Sequence, residues 1–445
     1  MKSRRRHRVA VKFGGSVLRD STGFRDSAEY LIRLLTDFKP VAVVSAPKGV
    51  TDLLTKLHNT PRRDSMRRLE EMYEQILSSI PDADIRDNAI ARIREQLESL
   101  EEPSEHDEFL SRGEDHSGIM LSHMIGALGC ESEYTDGYNA GIITDSNGAV
   151  RESLSMSNVR KTVHRCLVSR KHVIPVIGGF VGKDLDTGRH RLLGRNSTDI
   201  TGAIVAAALN SRYEIVKDVP GIYFVEPEFG ESDVVPHLSY DEAGELTWRG
   251  IEAIHPIAVK IAASHNIEII IRNLTDPRFT SISRKSLTKH ERPIAAISAR
   301  RFYLITVTDQ LMNTGEGRGY LAYTTGILSR SGIDIYDVAT SAYVISITIS
   351  PSNSLVLGRK VEEILRKGLE EHGYRPTVEG RRIGAISIVG SALKNNDRVL
   401  ARLLQTFHHN NVGIVVISKS ESPNVIFGVE ERHLRRSINI IRDSL

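Results

Sequence analysis

The sequence predicts an α/β protein: a mainly parallel sheet sandwiched by helices, followed by two ferredoxin-like βαββα units. Three observations carry this. Up to about residue 275, short apolar runs alternate with amphipathic helical patterns, which implies crossover connections. Several of these runs end beside glycines, hydroxyls or charges, and open α/β sheets collect ligands beyond the carboxyl ends of their strands. Between residues 302 and 442 the order strand–helix–strand–strand–helix occurs twice.

Taken in order, Val9–Val11, Val41–Val44, Ile174–Ile177, Glu214–Val216 and Ile267–Ile271 read as buried strands. Ser27–Asp37, Ile119–Leu128, Asn158–Ser169 and Asp199–Leu209 have helical periodicity. Pro61 to Glu105 differs, being dense in charge with Leu69, Met72, Ile76, Ile90, Ile93 and Leu97 spaced along it, and reads as inserted helices, a lid or packing arm. The texture changes near Arg292-Pro293. Phe302–Thr308, Asp334–Val338 and Val344–Ser350 are strands of the first repeat, with helices at Tyr320–Ser331 and Val361–Glu371. Gly384–Val389, Gly413–Ser418 and Asn424–Val429 are strands of the second, with helices at Asp397–Asn410 and Glu430–Arg442. The expected domains are residues 1–290 with a helical insertion at about 60–110, then 296–378 and 379–445. Small sheets with one bare face bury it against each other or against a second chain.

The 445 residues suggest about three domains at roughly 150 residues each. The chain has 59 Lys+Arg against 56 Asp+Glu, a formal +3, which argues against an electrostatic footprint for nucleic acid. The basic run from Lys2 to Arg8 reads as a solvated arm. Cys130 and Cys166 have neither zinc nor disulfide spacing and fit a reducing cytoplasm. No apolar stretch reaches the ~18 residues that span a bilayer, and no signal-peptide core follows the basic start, so a soluble cytoplasmic protein is expected.

The most informative motif is Lys12-Phe13-Gly14-Gly15-Ser16 at the end of the first strand. Side-chain-free residues let backbone N–H groups approach a phosphate chain, and the lysine adds a point charge; a tight turn is the other reading. Ser45 to Thr51 follows the second strand with hydroxyls that either hold a small polar ligand or cap the next helix. Glu114 stands near the start of a helix beginning at about Asp115, where it either serves the helix dipole or binds an ammonium group. Gly178-Gly179-Phe180 is a second glycine pair beyond a strand. Arg195 to Asp199 precedes an alanine-rich helix, where an arginine can clamp a carboxylate and Thr198 or Asp199 can serve as N-cap. Asp218 and Tyr223 flank a Pro-Gly turn that fits a purine or ribose pocket. His255 before proline reads as structural, and the other histidines lack metal-ligand spacing.

In this order the motifs closely resemble the aspartate kinase (aspartokinase) family of the amino-acid kinase superfamily. The similarity runs from residue 8 to the end. Gly319-Tyr320-Leu321-Ala322, Thr340-Ser341 and Ile417-Ser418-Lys419-Ser420-Glu421 resemble signatures of the paired ACT domains that family carries for amino-acid feedback. The resemblance implies ATP, with magnesium held mainly by its phosphates, as donor to the side-chain carboxylate of L-aspartate. It implies Lys12 and Asp199 as catalytic residues, with Ser45, Thr51, Glu114, Arg195 and Thr198 binding substrate. Gly14, Gly15, Ser16, Asp218 and Tyr223 would surround the nucleotide, joined by Lys217 on the separate ground of its charge, and Thr340, Ser341, Ser418 and Ser420 an effector such as lysine, threonine or methionine. It further implies a homodimer or dimer of dimers through ACT edges.

Departures from the family pattern are specific. Ser16-Val17 stands where a Thr-Ser pair is common, and Asn196-Ser197 where Gly-Gly is. Glu252 takes the place of a phosphate-binding lysine, and Glu226-Pro227-Glu228 lacks an arginine after its proline. Lys217, where threonine is frequent, is expected to restore part of the lost charge. Ala342 replaces a glutamate of some members, which leaves lysine as inhibitor open. Two other readings stand beside aspartate kinase: a sibling kinase for another acidic metabolite, and a non-catalytic amino-acid sensor.

Overall fold

Val9, Val11 and Phe13 point into one apolar layer while Lys12 meets a helix on the opposite side, so β1 (His7–Phe13) is an inner strand covered on both faces. The computed structural model describes residues 7–59, 63–98, 106–169, 173–194, 196–284, 293–312, 319–349, 351–394 and 396–444. Two compact units result. One comprises Met1–Ile222, Val234–Thr247 and Glu252–Ser286, the other Tyr223–Asp233, Trp248–Ile251 and Leu287–Leu445.

In the first unit β1 leads through α1 (Ser21–Leu34) to β2 (Phe38–Val44). Four helices follow: α2 (Val50–Asn59), α3 (Arg63–Leu77), α4 (Ala83–Glu98) and α5 (His106–Ala127). Then come β3 (Ser132–Thr135), α6 (Gly137–Ala140), β4 (Ile143–Thr144), α7 (Glu152–Ser169), β5 (Ile174–Gly178), β6 (Val181–Asp184) and β7 (His190–Leu192). The unit closes with α8 (Thr198–Leu209), β8 (Arg212–Val216), β9 (His237–Ser239), α9 (Tyr240–Trp248), α10 (Pro256–His265), β10 (Ile269–Arg272) and β11 (Phe279–Ser283). The main sheet has the order β3-β5-β2-β1-β8-β10-β11-β9, parallel from β3 through β10. β4, β6 and β7 form a small separate sheet.

Helices α1 to α5 share one core with the odd-numbered residues of β1. The charged insertion is therefore a packing arm: Leu69, Tyr73, Ile76 and Leu77 of α3 and Ile93 and Leu97 of α4 are buried there. Its charges occupy the outer face, as an amphipathic helix requires. α8 is buried along its whole length, which its Ala-rich composition permits because small side chains let strands and helices approach on every side.

The second unit contains β12 (Ala296–Thr308), α11 (Tyr320–Arg330), β13 (Ile335–Thr340), β14 (Val344–Ile349), α12 (Pro351–Glu370), β15 (Thr377–Val389), α13 (Asp397–His409), β16 (Ile414–Lys419), β17 (Asn424–Glu430) and α14 (Leu434–Ser444). Its sheet order is β13-β14-β12-β15-β17-β16, antiparallel throughout. β12 and β15 start earlier than the sequence suggests, at Ala296 and Thr377 rather than Phe302 and Gly384. The reason is that each crosses two cores. Ile297 and Ala299 pack with α13 and α14, whereas Ile305 and Val307 pack with α11 and α12. Val378 belongs to the first of these repeats and Ile386 and Ile388 to the second. Each repeat thus gains its fourth strand from half of a strand that the other also uses. On the bare face Phe302, Leu304, Ile383, Ala385 and Ile426 form a smaller core, and Ser418 Oγ donates to Asp337 Oδ1 at 2.9 Å between the edge strands β16 and β13.

Candidate active site

Parallel strands deliver their carboxyl ends to one edge, and the glycine motifs after β1, β2 and β5 lie there. Gly14 N donates to Val216 O at 3.1 Å, Ser45 N to Phe13 O at 3.2 Å and Gly179 N to Val44 O at 3.0 Å. Gly15 is required by approach rather than by φ: a Cβ would come within 2.5 Å of Ala46 O.

Lys12 and Asp199 form the centre. Lys12 Nζ lies 2.8 Å from Asp199 Oδ1, and both side chains are buried. Asp199 Oδ2 accepts the backbone N–H of His255 at 2.9 Å. Burial pushes the Asp199 carboxyl up, but Lys12, Lys217 and the His255 amide together hold it below the ordinary range. The aspartate is a carboxylate whose orientation is fixed by Lys12 and the His255 amide, with Lys217 adding favourable charge. It is not the N-cap: that position belongs to Ser197, and Thr198 and Asp199 lie in the first turn of α8.

Lys217 follows β8. Its Nζ donates to the backbone carbonyl of Glu252 at 2.6 Å. Burial lowers the Lys217 pKa, Asp199 opposes that shift, and Lys12 adds to it as a like charge. Two ammonium groups therefore share the field of one buried aspartate. The Glu252 side chain is exposed, so its negative charge is solvated while its carbonyl serves the site. Beside this cluster a cavity of about 370 Å³ is lined by Ser16, Arg19, Lys217, Asp218, Asn273 and Thr275, among others. Ser16 Oγ donates to Asp218 Oδ1 at 3.0 Å across it.

Glu114 is not at a helix start. It lies in the middle of α5, so the dipole reading falls. Its Oε1 accepts Ala46 N at 3.0 Å, and its Oε2 is buried without a hydrogen-bond partner. Burial, partly opposed by the Ala46 amide, pushes its pKa up to about 8. A buried carboxyl with an open oxygen is a receptor for a cation. Sequence reasoning missed its neighbour Asp115, which accepts Tyr134 OH at 2.6 Å and Arg112 Nη1 at 3.2 Å. It also missed the His255 amide and Tyr213, whose OH donates to Asp199 O at 3.1 Å. Adjacent acidic residues in α5 were the available signal for Asp115; a backbone amide leaves none.

The remaining expected residues fall as follows. Thr198 is buried behind Gly179, and Ser45 is half-buried at the end of β2. Thr51 lies inside α2 rather than capping it. Arg195 lies outside the described residues. Tyr223 packs with the second unit. There Thr340 and Ser341 are exposed, Ser418 holds Asp337, and Ser420 Oγ lies 2.8 Å from Ser422 Oγ. His255 caps α10, its Nδ1 accepting Ile257 N at 3.2 Å, as a structural histidine should. Among the described residues no helix is long and apolar enough to cross a membrane.

Comparison with known proteins bears on the fold and the family. Aspartokinase 1, chloroplastic, of Arabidopsis thaliana is 24% identical over 98% of this chain and 79% of its own length. The crystal structure of Clostridium acetobutylicum aspartate kinase superposes with a TM-score of 0.80 at 22% identity, covering 98% of this chain and 99% of that one. Escherichia coli aspartokinase III, solved with lysine and aspartate and again with aspartate and ADP, gives TM-scores of 0.77 and 0.75, each at 22% identity over 98% of this chain and 99% of that one. At these identities the solved structures establish the fold. The profile of the Amino acid kinase family matches residues 7–273, well over half of the sequence and the whole of the Lys12–Asp199 site, and the chain belongs to that family.

Proposed function

We infer that this chain is an aspartate kinase, which moves the γ-phosphoryl group of ATP to the side-chain carboxylate of L-aspartate and yields 4-phospho-L-aspartate and ADP. The observation that carries the reading is the pairing of two cationic groups on buried Asp199 with a buried, half-satisfied Glu114 at the same strand edge. Phosphoryl transfer needs positioning and charge neutralisation more than covalent help.

Lys12, held by Asp199, places its ammonium where charge builds on the phosphoryl oxygens; the Gly14 amide is committed to Val216 O, which leaves that of Gly15 for the phosphates. One P–O bond forms to the aspartate side-chain oxygen as the bond to the β-phosphate oxygen breaks, so no proton has to move. Glu114 Oε2 takes the substrate ammonium, Arg195 its α-carboxylate, and Ser45, Thr51 and Thr198 supply hydroxyl contacts. The nucleoside occupies the cavity beside Ser16 and Asp218. Magnesium, when bound, would be held mainly by the phosphates and would neutralise them, while Asp199, engaged by Lys12 and the His255 amide, orients the lysine.

Lys217 supplies the second phosphate-facing charge, keeping one N–H on the Glu252 carbonyl and giving another to a phosphate oxygen. Lys217→Ala is expected to raise KM for ATP about tenfold or more with KM for aspartate little changed. Steady-state kinetics with each substrate varied in turn checks this, and an unchanged KM for ATP removes Lys217 from the nucleotide site.

The second unit is read as a paired ACT module that binds an amino-acid effector near Thr340, Ser341, Ser418 and Ser420 and joins chains into a cytoplasmic homodimer or dimer of dimers. The decisive experiment traps the acyl phosphate. With ATP and hydroxylamine, aspartate should give hydroxamate, while glutamate, N-acetylglutamate and UMP should be phosphorylated at least about a hundredfold less efficiently. Equal turnover of any of these, or none with aspartate, overturns the assignment.

A further inference from the structure

Two short stretches interrupt the first unit, and both are bound by one side chain. Residues Tyr223–Asp233 and Trp248–Ile251 pack within the second unit. Arg300 of β12 reaches both. Its Nη1 donates to Glu226 Oε1 at 2.7 Å and to Glu226 Oε2 at 2.5 Å, and to Ala299 O at 2.8 Å, while Nη2 donates to Gly250 O. Gly250 has φ +99°, and a Cβ there would sit 2.9 Å from Arg300 Nε, so only glycine lets the guanidinium approach its carbonyl in this way. The first stretch is further fixed by a bridge between Val225 and Ile297, and the second by Arg249, whose guanidinium lies 4.9 Å over the Tyr336 ring.

All these contacts are internal to the second unit; the polypeptide carries their effect onward. Two residues after Gly250, the Glu252 carbonyl takes the Lys217 ammonium. Five residues after Gly250, the His255 amide is held by Asp199. Gly250 to His255 is thus gripped at three backbone atoms by Arg300, Lys217 and Asp199, and a segment this short transmits a displacement at one grip to the next.

We propose that Arg300 is a positioning residue for nucleotide binding, fixing through Gly250 the backbone against which Lys217 sets its ammonium. This rests on the reading of Lys217 as a nucleotide ligand. A guanidinium that makes several bonds at once, two of them to one carboxylate, defines the position of its partners more tightly than a single amide or ammonium can.

The test compares Arg300→Gln, Arg300→Lys, Lys217→Ala and the Lys217→Ala/Arg300→Gln double variant of the full chain. Readouts are KM for ATP, KM for aspartate, kcat and the Kd of ADP, with thermal unfolding as a control. Arg300→Gln is expected to raise KM for ATP and Kd for ADP about fivefold or more, with KM for aspartate moving less than about twofold. Arg300→Lys, which keeps one cationic donor, should recover part of the loss and also serves if the glutamine variant does not fold. In the Lys217→Ala background Arg300→Gln should add nothing, because the group it positions is gone. Unchanged ADP affinity, equal loss for both substrates, or fully multiplicative effects in the double variant overturn the proposal. The ADP measurement keeps the two failures apart: an enzyme inactive on aspartate sinks the assigned reaction, and ADP affinity still reports on Arg300.

Discussion

Lys12→Met is expected to lower kcat by about a thousandfold, the scale found when one preorganised charge is taken from a developing phosphoryl or oxyanion group. It should also destabilise the first unit. Asp199 is buried, and removing the cation 2.8 Å away leaves a carboxylate with only the His255 amide and Lys217 nearby. Breaking a buried pair from one side costs about 3–5 kcal/mol, and the two remaining partners place this case towards the lower end. The two effects separate in the double variant Lys12→Met/Asp199→Asn. The asparagine carries no charge to strand and still accepts from His255, so thermal stability should return towards the wild-type value. Activity should not. Recovery of turnover in the double variant would show that the lysine acts only by supporting the fold.

Glu114→Gln carries the second large effect, and its signature is a pH profile. In the empty site the carboxyl has a pKa of about 8, mainly because it is buried, so near neutrality it holds a proton. An arriving ammonium favours the carboxylate, and the proton must leave as aspartate binds. KM for aspartate should therefore fall by up to about tenfold per pH unit between pH 6 and 8 and level off above. Glu114→Gln should raise KM about a hundredfold and flatten that profile, since glutamine offers no titrating group and no charge. Stability follows the same linkage. The folded protein binds this proton more tightly than the unfolded chain, whose carboxyl has the ordinary value of 4.5, so the contribution to stability is complete below 4.5 and is lost as pH rises through 8. Wild type should lose stability relative to Glu114→Gln across that window. Parallel behaviour of the two proteins would place the carboxyl in water rather than in the core.

The first unit was legible in the sequence to the extent that strand ends carry glycine. Lys12, Gly14 and Gly15, and later Gly178 and Gly179, mark places where backbone must approach closely, and a parallel sheet brings such places to one edge. What sequence reading could not supply was depth. His106 to Asp115 is polar enough to look like the solvent-facing end of an insertion, yet in α5 it is continuous with the apolar turns that follow, and Glu114, Asp115 and His116 are all buried. The Glu252 side chain looked like a reversed charge in the site, whereas its carbonyl is what the structure uses. In the second unit the small residues around Ile297 and the paired Arg300-Arg301 hid six residues of strand, because a half-strand that serves a distant repeat has no local partner to announce it.

That sharing of β12 and β15 has a consequence for how the second unit can be inherited. No single scission between the repeats yields two intact pieces: cutting before Thr377 takes Val378 from the core that contains Ile305 and Val307, and cutting after Thr308 takes Ile297 and Ala299 from the core that contains Ile386 and Ile388. The pair must be duplicated, lost or transplanted as one block, and a hybrid protein that splices in a foreign second repeat has to bring its complementary half-strand from ahead of the first.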